Sequence, residues 1–136
     1  MKKIRAAVVG YGNIGKYVVE ALEAAVDFEI AGIVRRASSV ATAGESEYPV
    51  VSSLEELADV DVAILCTPSR LVEQSAVTAL KLGISTVDSF DIHTGIADMR
   101  AQRLIHARHQ RQNRLARLRT DIHHRLGQLD GLLHRL

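Results

Sequence analysis

Apolar and polar positions follow two rhythms between residue 4 and about residue 90. "IRAAVV" (4–9) is a short apolar run that stops at Gly10, and "FEIAGIV" (28–34), "DVAILC" (61–66) and "STVDSF" (85–90) are further runs of that length. Such runs, bounded by turn residues, read as buried strands. Between them the spacing is helical. In "NIGKYVVEALEAA" (13–25) Ile14, Val18, Ala21, Leu22 and Ala25 share one helical face, and "RLVEQSAVTALKL" (70–82) is a helix closed by Gly83. Ser53 and Glu56 have capping-box spacing for a short helix through Ala58. "ASSVATAGESEYP" (37–49) is a polar, small-residue loop leading into "VV" (50–51).

Strands alternating with helices predict βαβ units, and so an α/β fold with a doubly wound parallel sheet. The 136 residues suit one domain and are few for a cofactor enzyme with its own substrate domain. A hydrophobic share of 47% with 24% charged residues is that of an ordinary globular chain. No run approaches the length of a membrane span, and Arg5 with the Gly/Asn cluster breaks any secretory h-region, so a cytoplasmic address and no membrane partner are expected. Cys66 is alone, cannot form an internal disulfide, and reads as a small buried hydrophobe in "VAILC".

The chemistry begins at "GYGNIG" (10–15). Gly10 ends a strand, Gly12 sits at the turn and Gly15 opens a helix, which is the context a G-x-G-x-x-G motif needs to cradle a dinucleotide. Gly10 permits the tight turn, Gly12 lets backbone approach a pyrophosphate, and Gly15 allows helix to pack closely on strand. Amide N–H groups and the helix dipole then face the phosphates. The fold is expected to be of the Rossmann type. At the end of the second strand, where an acid would bind an NAD ribose, stands "IVRRASS". Arg35 and Arg36, with the Ser38 and Ser39 hydroxyls, suit a 2′-phosphate, which favours NADP over NAD; the alternative is a solvated surface pair. Thr67, Pro68 and Ser69 follow the 61–66 strand at the carboxyl edge, where they border the ribose or nicotinamide or simply cap the next helix.

With "VDSFDIH" (87–93), the segments "VGYGNIG" and "ILCTPSR" complete a pattern that resembles the meso-diaminopimelate dehydrogenases over about residues 4–102. Glucose–fructose oxidoreductase-type chains would show Glu-Lys-Pro where Val87-Asp88-Ser89-Phe90-Asp91 stands here. The resemblance implies an NADP-dependent oxidoreductase that reversibly deaminates meso-2,6-diaminopimelate, an amino-acid substrate, at its D-configured centre. It implies that Tyr11, Gly12, Asn13 and Ile14 hold the cofactor with Arg35 and Arg36, that residues around Ser69 and Arg70 assist, and that Asp91 reaches the substrate. A carboxylate suits the substrate ammonium, although an Asp at a strand end also serves as a cap or turn former. His93 ranks below Asp91. Family members continue with a Ser-x-Gly-Trp-Asp-Pro-Gly segment and a substrate domain; this sequence has no Trp and only Pro49 and Pro68 as prolines. Very low activity is therefore expected of a truncated chain.

Composition changes at residue 103. Residues 1–102 hold 9 Lys and Arg against 14 Asp and Glu, a balance of −5, whereas residues 103–136 hold 8 Arg against 2 Asp, a balance of +6. The expected division is an NADP-binding domain over 1–102 and an Arg/His/Leu-rich tail over 103–136. Two readings of the tail stay open: translation in a shifted frame, or a helix whose Leu115, Leu118, Ile122, Leu126, Leu129, Leu133 and Leu136 form a heptad-like seam that would pair two chains in a homodimer or cover the open sheet edge. In the second case the alternative function is a non-catalytic NADP-binding module that self-associates. The arginines lack accompanying aromatics and a base-reading motif, so no nucleic acid is expected. His106 with His109, and His123 with His124, lack a supporting Cys or Glu cluster, so no metal is expected.

Overall fold

In the computed structural model the described residues are 2–41, 46–88, 95, 97–98 and 100–107. Strand β1 (Ile4–Val9) runs into helix α1 (Asn13–Ala24), then β2 (Phe28–Val34), a single turn α2 (Ala37–Val40), β3 (Val50–Val51), a 3-10 turn at Leu54–Glu56, β4 (Val62–Leu65), α3 (Ser69–Lys81) and β5 (Ser85–Asp88). All four strand pairings are parallel, in the order β3-β2-β1-β4-β5. The chain therefore winds outward from β1 to one side and then from β4 to the other. The point of reversal lies between β1 and β4, where doubly wound sheets open a crevice at their carboxyl ends.

The uninterrupted "AAVV" of β1 has a two-sided explanation. Ala6 and Val8 face Val19 and Leu22 of α1, together with Ile33. Ala7 and Val9 face the other layer, with Leu65 and with Val72, Ala76 and Ala79 of α3. Strands covered on both faces lose the polar alternation of a half-exposed strand. Burying each of Val8, Ile33, Leu65 and Val72 stabilises the fold by about 1.5–3 kcal/mol.

The face of α1 is Gly15, Val19 and Leu22, not the one centred on Ile14 and Ala21. Ile14 is 61% exposed and Ala21 is also exposed. The reason lies in Gly15: a Cβ there would sit 2.1 Å from the Gly10 carbonyl oxygen. Contact with the sheet is closest where the side chain is absent, so a phase read from apolar side chains alone is rotated by one residue.

The other elements follow local chemistry. Gly83 has φ +79°, and the N–H groups of Gly83 and Ile84 close α3 on the carbonyls of Leu80 and Ala79 at 3.0 Å each. The Ser53–Glu56 capping box forms, but the turn it caps ends at Glu56 rather than Ala58. The segment after β2 contains α2, which the polar reading of 37–49 did not distinguish from loop. Tyr48 bridges this segment to α1 by donating to Glu23 Oε1 at 2.9 Å, a bond that pushes its phenol up to about 12.

Helical backbone occurs at residues 100–107. Arg103, the first residue of the compositionally distinct tail, pairs through Nη1 with Asp88 Oδ2 at 2.5 Å. The leucine seam of 115–136 lies outside the described residues, as do His109, His123 and His124. Among the described residues no helix is long and apolar enough to cross a membrane.

The Gly15 contact makes a specific demand. Gly15→Ala is expected to cost about 3 kcal/mol or more, because the added methyl meets backbone that cannot rotate away. A chemical denaturation midpoint close to that of the parent would show that α1 can lift from β1 without penalty.

Candidate functional site

Parallel register puts five strand ends in one row. Val51, Val34, Val9, Leu65 and Asp88 are successive partners across the sheet. The residues that follow them are therefore delivered to a common edge, and at that edge lies a groove of about 870 Å³.

The floor of the groove is the glycine turn. Gly10 has φ +94°, and a Cβ on it would lie 2.8 Å from the Cys66 carbonyl oxygen, so both its conformation and its neighbour exclude a side chain. A Cβ on Gly12 would meet nothing within 4 Å, because Gly12 borders open groove. Gly12 is the N-cap of α1, and no side chain caps the helix there. Gly10, Tyr11, Gly12, Asn13 and Ile14 line the groove, whereas Gly15 lies beneath it as a packing contact. The uncapped first turn presents backbone donors and the positive end of a helix dipole to whatever occupies the site.

One wall comes from the end of β2. Arg35 is held by its N–H donating to the Val51 carbonyl at 2.9 Å, and its guanidinium carbon lies 5.8 Å from the centre of the Tyr11 ring. Arg36 and Ser39 line the same wall, but Ser38 does not. Among the described residues no carboxylate forms a salt bridge with Arg35 or Arg36. Positive charge at this edge is thus available to an anion.

Ser52 also lines the groove, and sequence reasoning missed it. It follows a two-residue strand whose partner is recognised only from the register Val34↔Val51. The Ser52 hydroxyl donates to Glu56 Oε1 at 2.7 Å, and the N–H groups of Ser52 and Ser53 donate to the same oxygen at 3.0 and 2.9 Å. The Ser52 hydroxyl, supported by those two N–H groups, holds the Glu56 carboxyl below its ordinary range.

The opposite wall follows β4. Cys66, Thr67, Pro68, Ser69 and Leu71 line it, while Arg70 is exposed and is not among the lining residues. Cys66 is half-buried at the groove rather than enclosed in the core, and burial pushes its thiol up, which keeps it neutral. Thr67 Oγ1 is buried with no hydrogen-bond partner. A buried hydroxyl without a partner costs free energy that a bound polar group would return. Asp91 and His93 lie outside the described residues.

A sequence model of the oxidoreductase family with an NAD-binding Rossmann fold matches residues 4–88. The chain belongs to that family. It is 63% identical over 103 residues to the meso-diaminopimelate D-dehydrogenase of Bacteroides fragilis, an alignment that covers 75% of this chain and 34% of the relative. Among solved structures it resembles the C. glutamicum DAP dehydrogenase in complex with DAP, with a TM-score of 0.62, 31% identity, and coverage of 76% of this chain and 32% of that one. An engineered D-amino acid dehydrogenase bound to NADP+ gives a TM-score of 0.61 at 30% identity, covering 75% of this chain and 32% of the other. The chain spans about a third of the length of these relatives.

The Glu56 network ties this edge to pH. A carboxyl whose folded-state pKa is lowered contributes stability that is present above its unfolded pKa and lost as pH falls through the folded value. Acid should therefore lower the denaturation midpoint of the parent through the carboxylate range more steeply than that of Glu56→Gln. Parallel acid limbs for the two proteins would show that the network does not couple to folding.

Proposed function

We propose that this chain is the nicotinamide-cofactor part of an NADP-dependent dehydrogenase that reversibly deaminates meso-2,6-diaminopimelate at its D-configured centre. The observation that carries the substrate is the 63% identity over 103 residues to the B. fragilis relative. The cofactor choice is supported by Arg35 and Arg36 at the end of β2, lining the groove and without a carboxylate partner among the described residues. The open face of Gly12 and the unpartnered Thr67 hydroxyl fit a dinucleotide lying across the switch point.

In this reading the first-turn amides of α1 take the pyrophosphate, and the missing Cβ at Gly12 lets it approach. Arg35, Arg36 and Ser39 take the 2′-phosphate through charge-assisted hydrogen bonds. Thr67 and Ser69 orient the nicotinamide half of the cofactor from the opposite wall. A nicotinamide cofactor bound in this groove would supply the hydride acceptor for the oxidation at the D-configured carbon. Asp91 is assigned to the substrate ammonium, and Arg70 to an outer, supporting position. The setting is the cytoplasm, where the reduced and oxidised cofactor pools are available to such an enzyme.

The matched stretch corresponds to 34% of the B. fragilis relative, and a substrate held from one side does not keep its carbon in attack geometry. The 136-residue chain is expected to bind NADPH and to deaminate meso-diaminopimelate only at the detection limit. Turnover at about 1 s⁻¹ or faster, within the ordinary range of enzymes, would show that the cofactor half suffices. Arg35→Asp should reverse the preference from NADPH to NADH in a fluorescence titration; an unchanged preference would remove the 2′-phosphate assignment.

A further inference from the structure

Tyr11 occupies the second position of the glycine turn, where its backbone alone would satisfy the motif. Its side chain is half-buried, lines the groove, and has Arg35 over its ring at 5.8 Å. That distance is within the range at which a guanidinium is attracted to the negative face of an aromatic ring. Arg35 carries a long, rotamer-rich side chain, and ordering it on binding would cost rotamer entropy. The ring reduces that cost beforehand, because it gives the cation a resting place on the groove side. The backbone at Arg35 is already fixed by its bond to Val51, so the ring constrains the remaining freedom, that of the side chain.

We propose that Tyr11 is a positioning residue for cofactor selection: its ring holds the Arg35 guanidinium over the groove and so sets the preference for a 2′-phosphorylated dinucleotide without touching the phosphate. This deepens the NADP assignment and rests on it. The phenol hydroxyl has no part in the effect, which depends on the ring face. The neighbouring Arg36 is exposed and has no such ring contact, so the two arginines differ in role: Arg35 is preorganised and Arg36 is recruited.

The experiment is a fluorescence titration of the full chain with NADPH and with NADH, comparing the parent with Tyr11→Leu, Tyr11→Phe, Arg35→Ala and the Tyr11→Leu/Arg35→Ala double variant. The quantity read is the ratio of the two affinities, in which any contact of Tyr11 common to both cofactors cancels. Tyr11→Leu should lower the NADPH preference about threefold to fivefold, as expected of a partly exposed cation–π contact. Tyr11→Phe should keep it. In the Arg35→Ala background, Tyr11→Leu should leave the ratio unchanged. A parent with no preference for NADPH overturns the cofactor assignment itself. A parent with that preference, retained in Tyr11→Leu, overturns the role of Tyr11 while leaving the assignment intact. Loss of the preference in Tyr11→Phe also overturns it, and that arm stands even where the leucine variant does not fold.

Discussion

Gly15 on α1 lies so near the Gly10 carbonyl at the end of β1 that a Cβ on it would sit 2.1 Å from the oxygen, and much of the remaining geometry depends on that approach. No side chain fits between them. Because the helix begins against the strand end, its first-turn amides open directly onto the switch point instead of standing off by the width of a side chain. The same approach sets which residues of α1 face the core and which, like Ile14, border the groove. A stability requirement and a binding requirement thus meet in a single backbone contact.

Around that contact the charges are sorted by hydrogen bonding. Arg35 and Arg36 stand at the end of β2 without a carboxylate partner among the described residues. Of the two acids in the neighbouring turn, Glu55 and Glu56, Glu56 is held by the Ser52 hydroxyl and the N–H groups of Ser52 and Ser53. Its charge is thereby committed to the turn. On the other wall the Cys66 thiol stays neutral because it is partly buried, and Thr67 keeps a hydroxyl without a partner. One wall is cationic and the other neutral and polar.

At the far edge, Asp88 ends β5 and is paired with Arg103. The pairing satisfies an otherwise buried carboxylate, yet Arg103 Nε and Nη2 are themselves buried without partners. The ion pair joins the residue at which composition changes to the end of β5. It also brings the first of the tail's arginines into the domain whose net charge is opposite to that of the tail.

What the sequence determined by itself is local. Four of the five strands, the two long helices, the Gly83 cap, the Ser53–Glu56 box and the glycine turn are each set by residues within a few positions of one another, through backbone freedom, capping hydrogen bonds and apolar periodicity. The arrival of Arg35 and Arg36 at the groove was equally visible, because which residues follow the second strand is a matter of spacing. Tertiary structure decided what depends on neighbours remote in sequence. Ser52 joins the groove because β3 pairs with β2 in register, and the core face of α1 is set by the absence of a side chain at Gly15. A periodicity registers side chains that are present, and the contact that orients this fold is made where one is missing.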